Sequence, residues 1–188
     1  MAELPRTSPT AGLPGIAGAG VTVVETPDCD KLLLRLSEAA LLRANHALGF
    51  PVPTAPLSSS EAAGAALLWL GPDEWLMTLP AGMGAQAAAR LDHALDGTHR
   101  AVVDVSHRSV VLRLRGPAAR DALAAGCPID LHPTAFPPGA VTRTVLGKAG
   151  IVLHLHGDGE TFDLHVDRSF ADYAWLFLAN AARELNAA

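Results

Sequence analysis

Cysteine is scarce in this chain. The two that occur in 188 residues, Cys29 and Cys127, cannot form a zinc cluster by themselves and show no C-x-x-C spacing. They read as free thiols in a reducing compartment. Clusters of Lys and Arg with interleaved aromatics are missing too, and the formal net charge of −5 argues against nucleic acid as a partner. No uncharged apolar run reaches the ~18 residues that a membrane span needs. The opening MAELPRTSPTAGLPGIAGAG lacks a basic start followed by an unbroken apolar run, so no secretory signal is expected there. These absences together predict a cytoplasmic protein with neither nucleic acid nor membrane as a partner.

What is present is an ordinary globular composition, 49% hydrophobic and 18% charged, in a chain long enough for one domain or two small ones. Residues 1–20, rich in Gly, Pro, Ala and Ser, read as a disordered tail. Residues 21–188 read as a single domain in two halves, roughly 21–100 and 101–188. Val21–Glu25 suits a short edge strand and Lys31–Leu36 a strand. Ser37 reads as the N-cap of a helix over Glu38–Leu48, closed by Gly49. PVPTAPLSSSEAAG, over 51–64, reads as a loop because Pro51, Pro53 and Pro56 oppose regular structure. Ala65–Leu70 and Trp75–Leu79 form a hairpin, and Gly84–Leu95 a helix ended by Gly97.

Val102–Leu131 then packs a strand, a break at Ser106–Arg108, a strand over Val110–Leu114, a Gly116-Pro117 helix start and a helix stopped at Gly126. After a proline-rich connection, Val141–Leu146, Ile151–His156 and Thr161–Val166 read as strands. The last helix runs from an N-cap at Ser169, with Asp172 in the capping-box position, to about Glu184. Its predicted apolar face is Phe170, Tyr173, Ala174, Phe177, Leu178 and Ala181. Each half thus offers an xLRL strand, an alanine-rich helix, a hairpin and a closing helix. The pattern is an internal duplication of a βαββα unit, giving an α+β fold of antiparallel sheets with helices.

Asp104, Ser106 and His107 invite a hydrolase reading. However, adjacent residues of an extended segment face opposite sides, so Ser106 and His107 cannot pair. No G-x-S-x-G elbow exists either. Asp104 and Ser106 therefore read as turn or cap hydrogen bonders. A hairpin turn at Asp158-Gly159 would place Val152, His154, His156, Thr161, Asp163 and His165 on one face. Ile151, Leu153, Leu155, Phe162, Leu164 and Val166 would fall on the other. His154, His156, Asp163 and His165 have the residue types of a zinc or nickel site. A solvated or partner-facing sheet surface explains them with fewer assumptions. Gly147-Lys148-Ala149-Gly150 matches no phosphate-binding pattern. Trp69 and Trp75 read as core or interface, and Cys127 as inert behind a helix C-terminus. The residues alone favour a binding or structural role, with no catalytic, cofactor-binding or metal residue assigned.

Three segments carry more. WLGPDEWL (69–76), VDVSHRSVVLRLRGPAARDALAAGCPIDLHPTAFPPGA (103–140) and FDLHVDRSFADYAWLFLANAARE (162–184) closely resemble the gamma subunit of heterotetrameric sarcosine oxidase. That family is in turn similar to the tetrahydrofolate-binding domain of the glycine-cleavage aminomethyltransferase. The resemblance implies a non-catalytic subunit with a structural role in a four-chain oxidoreductase acting on CH–NH donors. Such a complex converts sarcosine to glycine, hydrogen peroxide, and formaldehyde or methylenetetrahydrofolate. It implies alpha, beta and delta subunits as partners, with FAD, FMN, NAD, tetrahydrofolate and zinc in those chains and no cofactor in this one. A related complex acting on another N-methyl amino acid, such as N-methylglutamate dehydrogenase, and an autonomous folate- or metal-binding enzyme are the alternatives. Aminomethyltransferases have a catalytic aspartate in a glycine-rich segment before a strand. The comparable Leu146–Ile151 has no carboxylate, which argues against folate chemistry in this chain.

Overall fold

The computed structural model describes residues 7–187. In chain order, strands Thr22–Glu25 (β1) and Cys29–Leu36 (β2) lead into helix Glu38–Leu48 (α1). Strands Ser59–Ala62 (β3), Ala65–Gly71 (β4) and Glu74–Pro80 (β5) lead into helix Gly84–Ala94 (α2). Strands Arg100–Asp104 (β6) and Ser109–Arg115 (β7) precede the short helix Ala119–Ala124 (α3). Strands Val141–Leu146 (β8), Ala149–Leu155 (β9) and Phe162–Asp167 (β10) precede helix Ala171–Leu185 (α4). The boundaries have local causes. Ser37 is extended ahead of α1, and Gly49 ends it in the left-handed region at φ 81°, its N–H donating to the Asn45 carbonyl. Among the described residues, no helix is long and apolar enough to cross a membrane.

The chain forms two compact units that are not consecutive halves. One comprises 29–106 with 139–142, the other 7–28, 107–138 and 143–187. The first unit has a five-stranded sheet in the order β3-β4-β5-β2-β6, and the second one in the order β8-β9-β10-β7-β1. Position by position the two orders correspond, and α1 and α2 hold the same places in the sequence of the first unit as α3 and α4 in the second. The duplication is therefore present. The changeover falls after Ser106, a few residues later than the boundary read near 100. The fifth strand of the second unit, β1, comes from before the first unit.

Each sheet buries an apolar face. In the first unit Leu32, Leu34 and Leu36 of β2 and Trp75, Met77 and Leu79 of β5 pack with Ala40 and Ala44 of α1 and Leu91 of α2. In the second, Ile151, Leu153, Leu155, Phe162, Leu164 and Val166 are all buried, as the alternation predicted. Each such side chain contributes about 1.5–3 kcal/mol by leaving water.

Four expectations need correction. Residues 7–20 are not a disordered tail. Val23 N–H donates to the Ile16 carbonyl at 2.8 Å, Trp175 Nε1 to the Pro14 carbonyl at 2.9 Å, and Asn186 Oδ1 accepts from the N–H groups of Gly20 and Val21. Proline and glycine withhold regular structure from the segment, but backbone and side-chain partners fix it. Residues 1–6 of that tail lie outside the described residues.

The 51–64 loop hides β3, which begins after the last proline. Its polar Ser59, Ser60 and Glu61 suit a sheet edge, and Ala63-Gly64, both at positive φ, turn it into β4 as a two-residue hairpin. At the last helix, Ser169 lies in a 3-10 turn over Arg168–Phe170, and α4 starts at Ala171 without a side-chain cap. Arg168 N–H donates to the Arg108 carbonyl, which ties this turn to the strand end instead. The buried stripe of α4 is also rotated: Ala171, Ala174, Trp175, Leu178 and Ala182 go inside, while Phe170 is exposed.

Candidate functional site

The polar groups with the densest chemistry sit on one face of the second unit's sheet, placed there by strand pairing. On β10, Asp163 stands between His154 of β9 and Arg113 of β7, and His165 stands between Val152 and Val111. The register of the β9–β10 hairpin is the one the sequence predicts. Its connection is wider than a two-residue turn. Asp158 Oδ1 accepts from the N–H groups of Glu160 and Thr161 at 2.9 Å, and its Oδ2 from Thr161 Oγ1 at 2.7 Å.

Around Asp163 the geometry closes into a network. Arg113 grips the carboxylate with both prongs, Nε to Oδ1 and Nη2 to Oδ2, each at 2.7 Å. His156 Nε2 meets Oδ2 at 2.8 Å, and alongside, Arg115 Nε donates to Thr161 Oγ1 at 3.1 Å. Burial by itself pushes the Asp163 carboxyl up. The hydrogen bonds from Arg113 and His156 and the Arg113 charge together outweigh it and hold the group well below the usual carboxylate range. At the turn, desolvation acts upward on Asp158 too, and its hydrogen bonds from Glu160 and Thr161 bring it down to about 2.

This corrects the reading of the face as solvated. His154, Thr161, Asp163 and His165 are all buried, with exposures of 2–6%. Buried charge is tolerated because it is paired and hydrogen-bonded. Arg113 and Arg115, which alternate with Leu112 and Leu114 along β7, are the residues whose hydrogen bonds offset the cost of that burial. Their parity on β7 was readable, but the pairing of β7 with β10, some fifty residues apart, was not. His154 and His156 bring their ring centroids to 4.5 Å. The residue types would suit a soft divalent ion, but His156 Nε2 is already committed to Asp163.

The first unit holds the other constellation. Asp104 Oδ1 accepts from Ser106 N–H at 2.8 Å and from Ser106 Oγ at 2.6 Å, and Ser106 Oγ accepts the Lys31 N–H at 2.9 Å. Ser106 is buried and His107 exposed. The pair therefore never meets, and Asp104 and Ser106 hold a turn, as strand geometry predicts. Trp75 is buried with Nε1 donating to the Pro53 carbonyl. Burial pushes the Cys127 thiol up to about 11, which leaves it inert at neutral pH.

The glycine-rich turn comparable to the aminomethyltransferase aspartate segment is packed with protein. A Cβ on Gly147 would stand 2.3 Å from Tyr173 Oη, and Lys148 N–H donates to the same oxygen. With no carboxylate and no room at Gly147, this turn does not fit a folate-chemistry role.

The comparisons agree in direction. A profile of the "Sarcosine oxidase, gamma subunit family" matches residues 36–184. A sarcosine oxidase subunit gamma from Arthrobacter sp is 40% identical over 119 residues, which are 63% of this chain and 57% of that protein. Another, from Corynebacterium sp. (strain U-96), is 33% identical over 149 residues, 79% of this chain and 71% of that protein. The match thus spans little more than half the length of the first of these relatives. A chain of the heterotetrameric sarcosine oxidase from Corynebacterium sp. U-96, solved with pyrrole 2-carboxylate, superposes with a TM-score of 0.87 at 30% identity, covering 97% of both chains. The glycine cleavage system aminomethyltransferase T from Bartonella henselae shares the fold alone, with a TM-score of 0.68 at 17% identity over 88% of this chain and 47% of that one. With the profile spanning most of the chain and the likeness to a sarcosine oxidase chain covering 97% of both, the chain belongs to the sarcosine oxidase gamma subunit family.

Proposed function

We propose that this chain is the non-catalytic gamma subunit of a cytoplasmic, flavin-dependent heterotetrameric sarcosine oxidase, in which it serves assembly. Alpha, beta and delta chains are its partners, and FAD, FMN, NAD, tetrahydrofolate and zinc belong to them. The observation that carries this reading is the likeness, across 97% of both chains, to a chain of a heterotetrameric sarcosine oxidase. The side chains support it. Asp104 and Ser106 are spent on a turn, Asp163 on Arg113 and His156, and the glycine-rich turn on Tyr173. The Ser106 hydroxyl is engaged by Asp104 and by the Lys31 N–H inside a turn, and His107 beside it is exposed. The histidines act as parts of a buried polar network, without a metal.

The test is the purified chain alone. It should show no flavin absorbance, no folate binding, no stoichiometric zinc or nickel, and no sarcosine turnover. Turnover, or tight one-to-one folate binding, would overturn the assignment. Stoichiometric metal lost in His154→Ala and His156→Ala would overturn the structural reading of the histidines.

A further inference from the structure

The two units share one topology but fill it differently. In the second unit α4, ADYAWLFLANAAREL, brings Trp175 and Leu178 into the core and sets Phe177 against Gly126. Its counterpart in the first unit, α2, reads GAQAAARLDHA, and Leu91 is the one large apolar side chain it carries. Of the α2 alanines at 85, 87, 88 and 89, Ala87 faces the space beside α1 and is too small to fill it. A cavity of about 240 Å³ is left over between α1, α2 and the sheet.

The cavity opens to solvent past Met83 and Gln86, and concave apolar clefts of this kind are where small molecules bind. The walls here are Leu48, Phe50, Met77 and Leu79, with Ala65 and Ala87. Met83, exposed to 45%, stands at the mouth as a flexible apolar lip. Two polar side chains line the cavity, Gln86 and Arg90, and Arg90 is the one charged lining residue. One Arg90 guanidinium nitrogen donates to the Ala47 carbonyl at the end of α1. That contact holds the cation at the rim, with further N–H groups to offer. Apolar walls with a few placed polar groups are the usual make-up of a small-molecule site.

We propose that this cavity binds a small amphipathic carboxylate, its apolar body between Met77, Phe50 and Ala87 and its charged end at Arg90. An apolar cavity of ~150 Å³ takes up benzene, so this one has room for a body of about eight carbon atoms. The site lies wholly in the first unit.

The experiment uses the full chain labelled at methionine methyl groups with ¹³C, because Met77 and Met83 both line the cavity. On titration with octanoate both signals should shift saturably. 1-Octanol should bind about two- to fivefold more weakly, the worth of one exposed ion pair. Arg90→Gln should erase that difference, and Ala87→Leu, which fills the cavity, should abolish the shifts. Arg90 is exposed, so its variant carries the test even if Ala87→Leu fails to fold. The proposal is overturned if neither signal saturates with octanoate, if octanol binds as tightly as octanoate, or if a folded Ala87→Leu binds as before.

Discussion

Asp163 shows how a carboxylate becomes tolerable inside a sheet. It is 6% exposed, gripped at two oxygens by Arg113 and met by His156. Removing the carboxylate takes away the charge-assisted hydrogen bonds from the half-buried Arg113 and His156, a loss of about 1.5–3 kcal/mol. Asp163→Asn should lower stability to urea by about that amount at neutral pH. The pH dependence has a definite sign. The folded group titrates below its unfolded value of about 3.9. Its contribution is therefore complete above that value and is lost as pH falls towards the folded one. Urea midpoints should drop for the wild type as pH falls below about 4, and drop less for Asp163→Asn. An equal drop in both would place the acid sensitivity elsewhere.

At this scale the sequence was readable where partners are local. Asp104 with Ser106, and the alternation of 151–156 with 161–166, needed neighbours only a few residues away. Arg113 and Arg115 acquire their meaning from a strand on the far side of a helix and two more strands, and no local pattern names it.

Elements were legible where their hydrophobic period was strong. β9 and β10 alternate apolar with polar residues, β2, β4, β5 and β7 carry short apolar runs between turn residues, and the alanine-rich helices have a clear apolar side. β3 was missed because an edge strand has no buried face to declare it; its SSEA sequence looks like the proline loop before it. The start of α4 was misread because Ser169 and Asp172 have capping chemistry, yet the chain reaches the helix through a 3-10 turn anchored to Arg108.

The other end of α4 makes the stronger attachment. Asn186 accepts from Gly20 and Val21 N–H groups and donates to the Val21 carbonyl at 3.0 Å. Asn186→Ala should destabilise by about 1–3 kcal/mol, since it strands buried backbone groups, whereas Ser169→Ala should stay within about 0.5 kcal/mol. Thermal melts of the two variants decide between them. A Ser169→Ala loss equal to that of Asn186→Ala would restore the N-cap.

For the whole molecule, the duplication was visible in the repeated xLRL strands and alanine-rich helices but could not be aligned while β3 was counted as loop. With β3 included, the two sheets correspond strand for strand. Residues 7–28 prove to belong with the second half. That assignment depends on β1 pairing with β7 some ninety residues away, a link that periodicity does not carry. Function was legible only through family resemblance, because the polar residues of the sequence match no catalytic motif on their own.

The direct measurement is co-expression of the four chains with and without this one, followed by native mass and sarcosine oxidation of the purified material. A one-to-one-to-one-to-one complex that contains this chain and turns over sarcosine is the expected result. Without it, assembly should be lost while each flavin chain still binds its flavin. A fully active complex of normal mass lacking this chain, or sarcosine oxidation by this chain alone, would contradict it.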